Sequence, residues 1–279
     1  MSAEEFRLLR DHVYGYCGIL VREDMKFVME RRLWPRLESL GLRDFGAYHR
    51  YLRYDPHRRG ELEAAVEALT THETYFFREP IQLKAFSEEV LPQLQQRNAI
   101  SRRLRIWSAG CSTGEEAYTV AILLKESRLF ESWEVEVYGS DISRRVLATA
   151  RRAEYGPSSM RVAPPEMVSR YFIQIGANKV RVRDDVRSWV SFGHVNLLDQ
   201  DSCLLVPRMD IIFCRNVMIY FDIPARQRVL QVFSEKLVPG GYLMLGHSEN
   251  LLNLGVDFEL VHLRGDLVYR KPELPPKGA

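Results

Sequence analysis

The stretch of residues 104–124 has the pattern of a buried strand, a turn and a helix in direct succession. Leu104, Ile106 and Trp107 are apolar, residues 109–114 are all small, and apolar residues then recur at helical spacing to Leu124. Small side chains allow the backbone to approach a ligand closely at the turn. A strand, a turn of this kind and a helix build the nucleotide-cofactor sites of α/β proteins, so we predict such a site here.

The predicted helix starts with two acids, which restricts the ligand. Ser112 with Glu115, and Thr113 with Glu116, each fit a capping box, so the helix should begin within these overlapping signals. Two carboxylates in the first turn would repel a polyphosphate. No Lys follows Gly114, and the G-x-G-x-x-G run of dinucleotide folds is absent. S-adenosylmethionine, which carries adenosine, a sulfonium and an ammonium group, fits better; the alternative is that both glutamates only cap the helix.

The composition is that of an ordinary globular protein. The 279 residues are 46% hydrophobic and 27% charged, which suits one large domain or two small ones. No apolar run reaches the ~18 residues of a membrane span, and the N-terminus is unlike a signal peptide, so we expect a cytoplasmic protein without membrane insertion. The net charge of +2 and pI near 8.3 disfavour nucleic acid as a partner, since binding domains exceed a pI of about 9.

The cysteines and histidines give no sign of a metal site. No CxxC or Cys/His ligand spacing is present, so buried, reduced thiols are expected. The cysteines are Cys17, Cys111, Cys203 and Cys214.

Residues 1–75 are predicted to form a helical N-terminal domain, because apolar residues recur at helical spacing throughout. Between positions 31 and 59, eight arginines stand against three acids, which gives this segment a charge of +5. Such a run is often only a solvated face. The functional alternative is a docking surface for an acidic partner, with Arg31, Arg32 and Arg36 at its start.

A linker helix is predicted within 76–100, and 101–270 should form an α/β domain with mostly parallel strands. Asp141 ends the second predicted strand, where the ribose hydroxyls lie in a doubly wound sheet. The alternative is that Asp141 or Ser143 caps the next helix. Further strands are predicted at 134–141, 189–195, 209–214, 242–245 and 267–270.

Smaller features complete the predicted domain. A β-hairpin should occupy about 171–184, with its turn at 176–179. A helix capped by Asp222 should be closed by the Pro-Gly-Gly run 239–241. Three prolines in 271–279 predict an extended tail.

With these pieces placed, the chain strongly resembles the chemotaxis receptor glutamate methyltransferases, the CheR family, over nearly its whole length. The resemblance implies an all-α N-terminal domain followed by a Rossmann-like S-adenosylmethionine-dependent methyltransferase domain with a small inserted β-hairpin subdomain. Four blocks carry it: TxxTxFFRE (71–79), WSAGCSTGEE (107–116), NLL (196–198) and the highly specific FCRNVMIYFD (213–222).

The implied reaction transfers a methyl group from S-adenosylmethionine to glutamate side chains of chemoreceptors, giving methyl esters and S-adenosylhomocysteine in chemosensory adaptation. A glutamate with a pKa of ~4.3 is ionised at pH 7, so this reaction needs no general base. Arg78 and Tyr220 are the implied catalytic residues, which would orient the carboxylate and the cofactor.

The resemblance also implies the residues that contact the cofactor. His72 is a departure, since family members carry Asn two residues before the matching Thr. The implied contacts are His72, Thr74, Arg78, Gly110, one of Glu115 and Glu116, Asp141, Asn196, Leu197, Arg215 and Asn216.

The implied partner is the cytoplasmic helical domain of chemoreceptors, docked on Arg31, Arg32 and Arg36 of a monomeric enzyme. In some family members the hairpin also binds the receptor's C-terminal tail, and those members have a longer, glycine-containing loop. The tight turn at 176–179 leads us to expect no such tail docking here.

Two other functions stay open from the sequence. A nucleic-acid methyltransferase would account for the arginine-rich segment, but the modest charge and the lack of a Pro-Pro-Tyr type motif oppose it. A non-catalytic module would keep the fold and lose the chemistry, which the presence of Arg78 and Tyr220 opposes.

Overall fold

The computed structural model describes residues 1–252 and 254–273, so the predicted tail lies largely outside the described residues. An N-terminal helical bundle packs around a core that includes Leu9, Val13, Leu33 and Leu37. This confirms the all-α prediction for the start of the chain. The helices are α1 (Ala3–Cys17), α2 (Lys26–Ser39), α3 (Phe45–Tyr54) and α4 (Arg58–Leu69), with a 3₁₀ turn at Glu23–Met25.

A buried carboxylate ties the bundle together. Glu61 is 6% exposed and accepts hydrogen bonds from Nε of Arg36 at 3.0 Å and from the hydroxyl of Tyr48 at 2.7 Å. Arg32 donates to the backbone carbonyl of Leu69 at 2.7 Å, at the end of α4. Arg32 and Arg36, two of the three arginines proposed as a docking surface, therefore stabilise the fold of the bundle itself.

An extended connection leads from the bundle into one continuous helical stretch that contains a π-helical turn. It comprises α5 (Pro80–Ala85), the π turn Phe86–Val90 and α6 (Leu91–Arg97). Glu79 precedes it with a φ of 58°, a conformation that few non-glycine residues adopt.

Ten strands follow in the second part of the chain, counted over the described residues up to 273. They are β1 (Arg103–Ala109), β2 (Glu134–Asp141), β3 (Glu154–Tyr155), β4 (Phe172–Gly176), β5 (Lys179–Val182), β6 (Val190–His194), β7 (Met209–Cys214), β8 (Leu237–Leu245), β9 (Glu259–Leu263) and β10 (Asp266–Arg270). Seven form a sheet of order β6-β2-β1-β7-β8-β10-β9. The first five of these pair in parallel, and β10 runs antiparallel to both neighbours, which confirms the mostly parallel sheet.

Helices cover both faces of this sheet over two hydrophobic clusters, one including Ile106 and Phe213 and the other Trp107 and Ile212. Neighbouring residues of one strand thus enter opposite faces, as the period of a strand requires. The helices are α7 (Glu115–Ser127), α8 (Arg144–Arg152), α9 (Pro165–Tyr171), α10 (Asp184–Arg187), α11 (Gln200–Leu204) and α12 (Ile223–Lys236), with a 3₁₀ turn at Met218–Tyr220.

The predicted hairpin is present as β4 and β5, but it is part of a larger unit. A third strand, β3, joins to give the order β3-β5-β4, so β5 lies in the middle and β4 at an edge. The two residues of β3 are too few to leave a periodic signal in the sequence.

Two local predictions are wrong. The Pro-Gly-Gly run 239–241 does not close α12 but lies inside β8, where the register against β7 shifts and Gly240 supplies a φ of 71°. The capping box at the start of α7 is also absent, because the helix begins after Gly114 without a side-chain cap. The hydroxyl of Ser112 instead donates to the backbone carbonyl of His72 at 3.2 Å.

The four cysteines are buried and unpaired, as predicted. None of the helices in residues 1–252 and 254–273 combines the length and apolar character needed to cross a membrane.

Candidate active site

A cavity of about 300 Å³ lies at the carboxyl ends of β1, β2, β6 and β7, against the N-terminal bundle. Ligands bind at this edge in open α/β sheets. The structure brings eleven of the twelve predicted site residues into its lining: His72, Thr74, Arg78, Gly110, Glu116, Asp141, Asn196, Leu197, Arg215, Asn216 and Tyr220. Glu115 is the predicted residue that does not line the cavity.

The turn after β1 is held against the end of β2. The backbone N–H groups of Gly110 and Cys111 both donate to the carbonyl of Ser140 at 2.8 Å. Gly110 has a φ of 80°, and a Cβ atom there would lie 2.5 Å from Cγ2 of Val217. Only glycine therefore fits at this point, which keeps the backbone of the turn close to the cavity.

Asp141 fixes the same turn from β2. Its carboxylate accepts the backbone N–H of Ser112 and of Ser143, both at 2.9 Å. Burial raises the pKa of Asp141, and these two hydrogen bonds and nearby His72 oppose the rise. Ser143 provides the cap of α8 by accepting the backbone N–H of Val146. Asp141 is thus left at the end of β2, facing the cavity.

Glu116 and Arg215 join the loops after β1 and β7. Arg215 donates through Nη1 to Glu116 at 3.3 Å and through Nη2 to Glu79 at 2.9 Å and to the carbonyl of Arg78 at 2.7 Å. The hydroxyl of Ser108 also donates to Glu116, at 2.7 Å. Burial raises the pKa of Glu116, while Arg215 and Ser108 lower it.

Glu115 points away from the cavity into a separate set of contacts. Its carboxylate accepts the hydroxyls of Thr113 at 2.6 Å and Ser159 at 2.8 Å, and burial raises its pKa. Successive helical residues point in directions about 100° apart, so only one of the two glutamates can face the ligand. The geometry favours Glu116.

The two predicted catalytic residues lie in the same cavity. Arg78 donates to the carbonyl of Glu73 at 3.1 Å, and its guanidinium carbon lies 5.6 Å from the ring centre of Tyr75. Tyr220 ends a 3₁₀ turn, and its backbone carbonyl accepts the N–H of Leu20 at 3.1 Å. Tyr75 also lines the cavity, although the sequence did not single it out.

The N-terminal bundle contributes directly to the cavity wall. Asn196 donates through Nδ2 to the carbonyl of Tyr16 at 2.6 Å and accepts the N–H of Leu198 at 3.1 Å. Cys17 and Ile19, at the end of α1, line the cavity beside it. Nothing in their sequence context indicated this role, because it depends on the packing of two distant parts of the chain.

Glu249 supports the loop after β7 and was also missed. Its carboxylate accepts backbone N–H groups of Asn216 at 2.8 Å, Met218 at 2.7 Å and Gly246 at 2.8 Å. Asn216 has a φ of 60°, so the loop is held in a conformation uncommon for its residue type. An acid shortly after a buried strand, as at Asp141, is the signal that could have found Glu249.

The cavity suits a ligand with a net positive charge. Three carboxylates, of Glu73, Glu116 and Asp141, stand against the two guanidinium groups of Arg78 and Arg215 in the lining. Oδ1 of Asn216 and Nε of Arg215 are buried without a hydrogen-bond partner among the described residues. Both residues line the cavity, so this acceptor and this donor are candidates to pair with polar groups of S-adenosylmethionine.

A parallel sheet with a glycine turn after its first strand, an acid after its second and this cavity between them define the class of S-adenosylmethionine-dependent methyltransferases. A family model described as CheR methyltransferase, SAM binding domain, matches residues 72–265, and one described as CheR methyltransferase, all-alpha domain, matches residues 4–70. The chain belongs to the CheR family of methyltransferases, as the sequence blocks indicated.

Curated relatives match over nearly the whole chain. Chemotaxis protein methyltransferase 2 of Vibrio cholerae serotype O1 is 35% identical over 269 residues, which cover 96% of this chain and 93% of that protein. The chemotaxis protein methyltransferase of Escherichia coli K12 is 38% identical over 272 residues, 96% of this chain and 91% of that protein. The predicted family, enzyme class and cofactor are therefore confirmed.

Proposed function

We propose that this enzyme methylates glutamate side chains of chemoreceptors, with Arg78 and Tyr220 positioning the carboxylate. The observation that carries the proposal is the shared cavity. In a member of this family, a guanidinium group and a phenol lie beside the acids that suit a cationic cofactor. S-adenosylmethionine supplies an electrophilic methyl group when it is bound.

We assign the cofactor contacts to the residues of the cavity lining. Asp141 is positioned to accept from ribose hydroxyls, since it lies at the end of β2. Glu116 would face the cationic part of the cofactor, and Asn216 offers its unpartnered Oδ1. Glu115 is excluded from this set, because it does not line the cavity and its carboxylate instead accepts the hydroxyls of Thr113 and Ser159.

Arg78 and Tyr220 act by orienting the substrate carboxylate and the cofactor and by excluding water. A glutamate carboxylate is ionised at neutral pH, so no side chain has to remove a proton. Arg78 presents a planar fork of donors that matches a carboxylate, and one described hydrogen bond, to the carbonyl of Glu73, aims it. Tyr220 offers its hydroxyl from a turn braced by the N–H of Leu20.

The receptor would dock on the N-terminal bundle, which also walls the cavity. Arg31 is exposed, whereas Arg32 and Arg36 are partly buried. Arg32 donates a hydrogen bond to the carbonyl of Leu69, and Arg36 donates one to Glu61. We therefore assign the electrostatic contact mainly to Arg31 and treat Arg36 as structural. The predicted absence of tail-peptide docking remains a proposal that is tested separately.

Labelled cofactor tests the proposed function against its alternatives. The protein is incubated with [methyl-³H]S-adenosylmethionine and either receptor cytoplasmic fragments or RNA, and the label is then exposed to mild alkali. We expect label on the receptor fragment that is released by alkali, because methyl esters hydrolyse in base. Alkali-stable label on RNA would support a nucleic-acid methyltransferase. Cofactor binding without any transfer would indicate a non-catalytic module.

A further inference from the structure

A second cavity, of about 560 Å³, lies beside the end of β8, outside the candidate active site. It is enclosed by α5, the loop after β8 and the turn between β9 and β10. These elements meet because β10 runs antiparallel to β8, with Tyr269 opposite Leu243. The first residue of β10, Asp266, is thereby brought to the edge where β8 ends.

Gln82 of α5 lines this cavity and carries an unpartnered acceptor. The residue is 1% exposed, and its Nε2 donates to the backbone carbonyl of Leu245 at 2.9 Å. A carbonyl can only accept, so this bond fixes which end of the amide is the nitrogen. Oε1 is consequently the other end, and it is buried without a partner among the described residues.

Asp266 provides a second unpartnered acceptor in the lining. Oδ2 of Asp266 is buried and has no hydrogen-bond partner within residues 1–252 and 254–273. Buried polar atoms in folded proteins nearly always have partners, so an unpaired amide oxygen and an unpaired carboxylate oxygen in one cavity call for a donor. The hydroxyl of Tyr269, which accepts the N–H of Leu251 at 3.1 Å, is a hydrogen-bond partner of neither oxygen.

We propose that this cavity binds a small organic cation whose primary ammonium or guanidinium group donates to Gln82 and Asp266. Both groups carry several donors and no acceptor, which matches the two unpaired acceptors of Gln82 and Asp266. Water could satisfy the hydrogen bonds, but only a cation also compensates the carboxylate of Asp266.

The site is coupled to the active-site loop through Glu249, which lines the second cavity. Its carboxylate holds the N–H groups of Asn216 and Met218, and Asn216 lines the first cavity. A bound cation that displaces the carboxylate of Glu249 changes the affinity of the enzyme for S-adenosylmethionine through the loop after β7. By thermodynamic reciprocity, S-adenosylmethionine changes the affinity for the cation by the same factor.

Calorimetric titration of the full chain with agmatine and with putrescine tests the proposal, independently of which substrate is methylated. Agmatine offers a guanidinium and an ammonium group, whereas putrescine offers ammonium groups alone, so the two arms separate the two chemistries. We expect saturable binding of at least one, weakened about tenfold or more in Asp266→Asn, since a charge-assisted hydrogen bond is lost.

Asp257→Asn is the matched control, because Asp257 is an exposed carboxylate outside the lining. This variant should bind the amine as the wild type does. Asp266→Asn should keep basal methylation, because Asp266 does not line the active-site cavity. In the wild type, saturation with the amine should shift the dissociation constant of S-adenosylmethionine.

Two results would overturn the proposal. One is the absence of saturable binding of either amine in the millimolar range. The other is equal binding to the wild type and to Asp266→Asn. If the amine binds at Asp266 but leaves the affinity for S-adenosylmethionine unchanged, the site stands and the coupling through Glu249 is refuted.

Discussion

The guanidinium of Arg215 and the carboxylate of Glu116 form a buried ion pair, with Nη1 3.3 Å from the carboxylate oxygen. The pair joins the loop after β7 to the first turn of α7, and Arg215 extends it to Glu79 at 2.9 Å. Glu116 therefore has two roles. It offers negative charge to the cavity, and it restrains the arginine that holds the backbone of Arg78.

Replacing Glu116 by Gln should weaken the binding of S-adenosylmethionine. A lost hydrogen bond to a charged group costs ~1.5 to 3 kcal/mol, which is about a ten- to hundredfold rise in the dissociation constant measured by calorimetry. Glu115→Gln is the control, because its carboxylate faces Thr113 and Ser159 instead of the cavity. A loss of affinity in Glu115→Gln with none in Glu116→Gln would reverse the assignment.

Arg78→Lys and Tyr220→Phe should lower kcat for receptor methylation more than they change cofactor affinity. Lysine keeps the charge of Arg78 and removes its fork, and a misplacement of about 1 Å can cost ~100-fold in rate. Arg161→Lys serves as a control, since Arg161 also packs on the ring of Tyr75, at 3.7 Å, but does not line the cavity. Near-normal turnover in both test variants would remove these residues from the mechanism.

Charge reversal in the bundle should separate docking from folding. Arg31→Glu should slow receptor methylation, with a stronger salt dependence in the wild type than in the variant, because exposed charges are screened over ~10 Å at 0.1 M. Its melting temperature should not change. Equal receptor kinetics in Arg31→Glu and the wild type would refute docking at this position.

Arg36→Glu should instead destabilise the bundle. Glu61 is 6% exposed, and loss of its partner leaves a buried charge uncompensated, at a cost of about 3 kcal/mol. Circular dichroism of thermal unfolding measures this loss. An unchanged melting temperature would mean that the Arg36–Glu61 pair is not structural.

Cofactor affinity should fall as the pH is lowered through the titration of His72. Burial lowers the pKa of His72 below its ordinary value of 6.5, so the folded protein holds the neutral ring. The neutral ring of His72 contributes to the free energy of unfolding above pH 6.5, and this contribution is lost as the pH falls through the lowered pKa. A protonated ring would also repel a cationic cofactor.

His72→Asn should flatten this part of the pH profile of the dissociation constant. Burial raises the pKa values of Asp141 and Glu116, so a further loss of affinity at lower pH should persist in the variant. Identical profiles for the variant and the wild type would exclude His72 as the titrating group.

The sequence was informative where one element determines its own conformation. The strand bounds of β2 and β7 follow from the apolar pattern, and the cap of α12 at Asp222 accepts the N–H of Ala225 at 2.9 Å, as predicted. Prediction from the sequence failed where contacts with another element determine the local conformation. Asp141 accepts the N–H of Ser112 and helps to fix the turn before α7, so the local capping signal was overridden.

The site shows the same division between local and distant determinants. Eleven of the twelve predicted site residues line the cavity, because three of the four blocks contain or directly follow the carboxyl end of a strand. Glu249 and Cys17 were missed, since their roles depend on loops and helices that approach from elsewhere. Helical geometry, and not the motif, separates Glu116 from Glu115.

A five-residue peptide from a receptor C-terminus should not bind to the small three-stranded sheet. The strand order leaves β4 as the longer edge, with β5 enclosed between β3 and β4. The turn that joins β4 to β5 is tight, since Gly176 pairs with Lys179, and it offers little surface beside an added strand. Strand addition needs an open edge and pockets for alternate side chains.

Calorimetry with this peptide would detect micromolar affinity, which corresponds to ~8 kcal/mol. If such binding were found, Ile175→Pro on β4 is the informative variant, because a proline on the enclosed β5 would disrupt the sheet itself. Micromolar binding that is abolished by Ile175→Pro and retained in Arg31→Glu would show that the enzyme uses its sheet edge to hold the receptor tail.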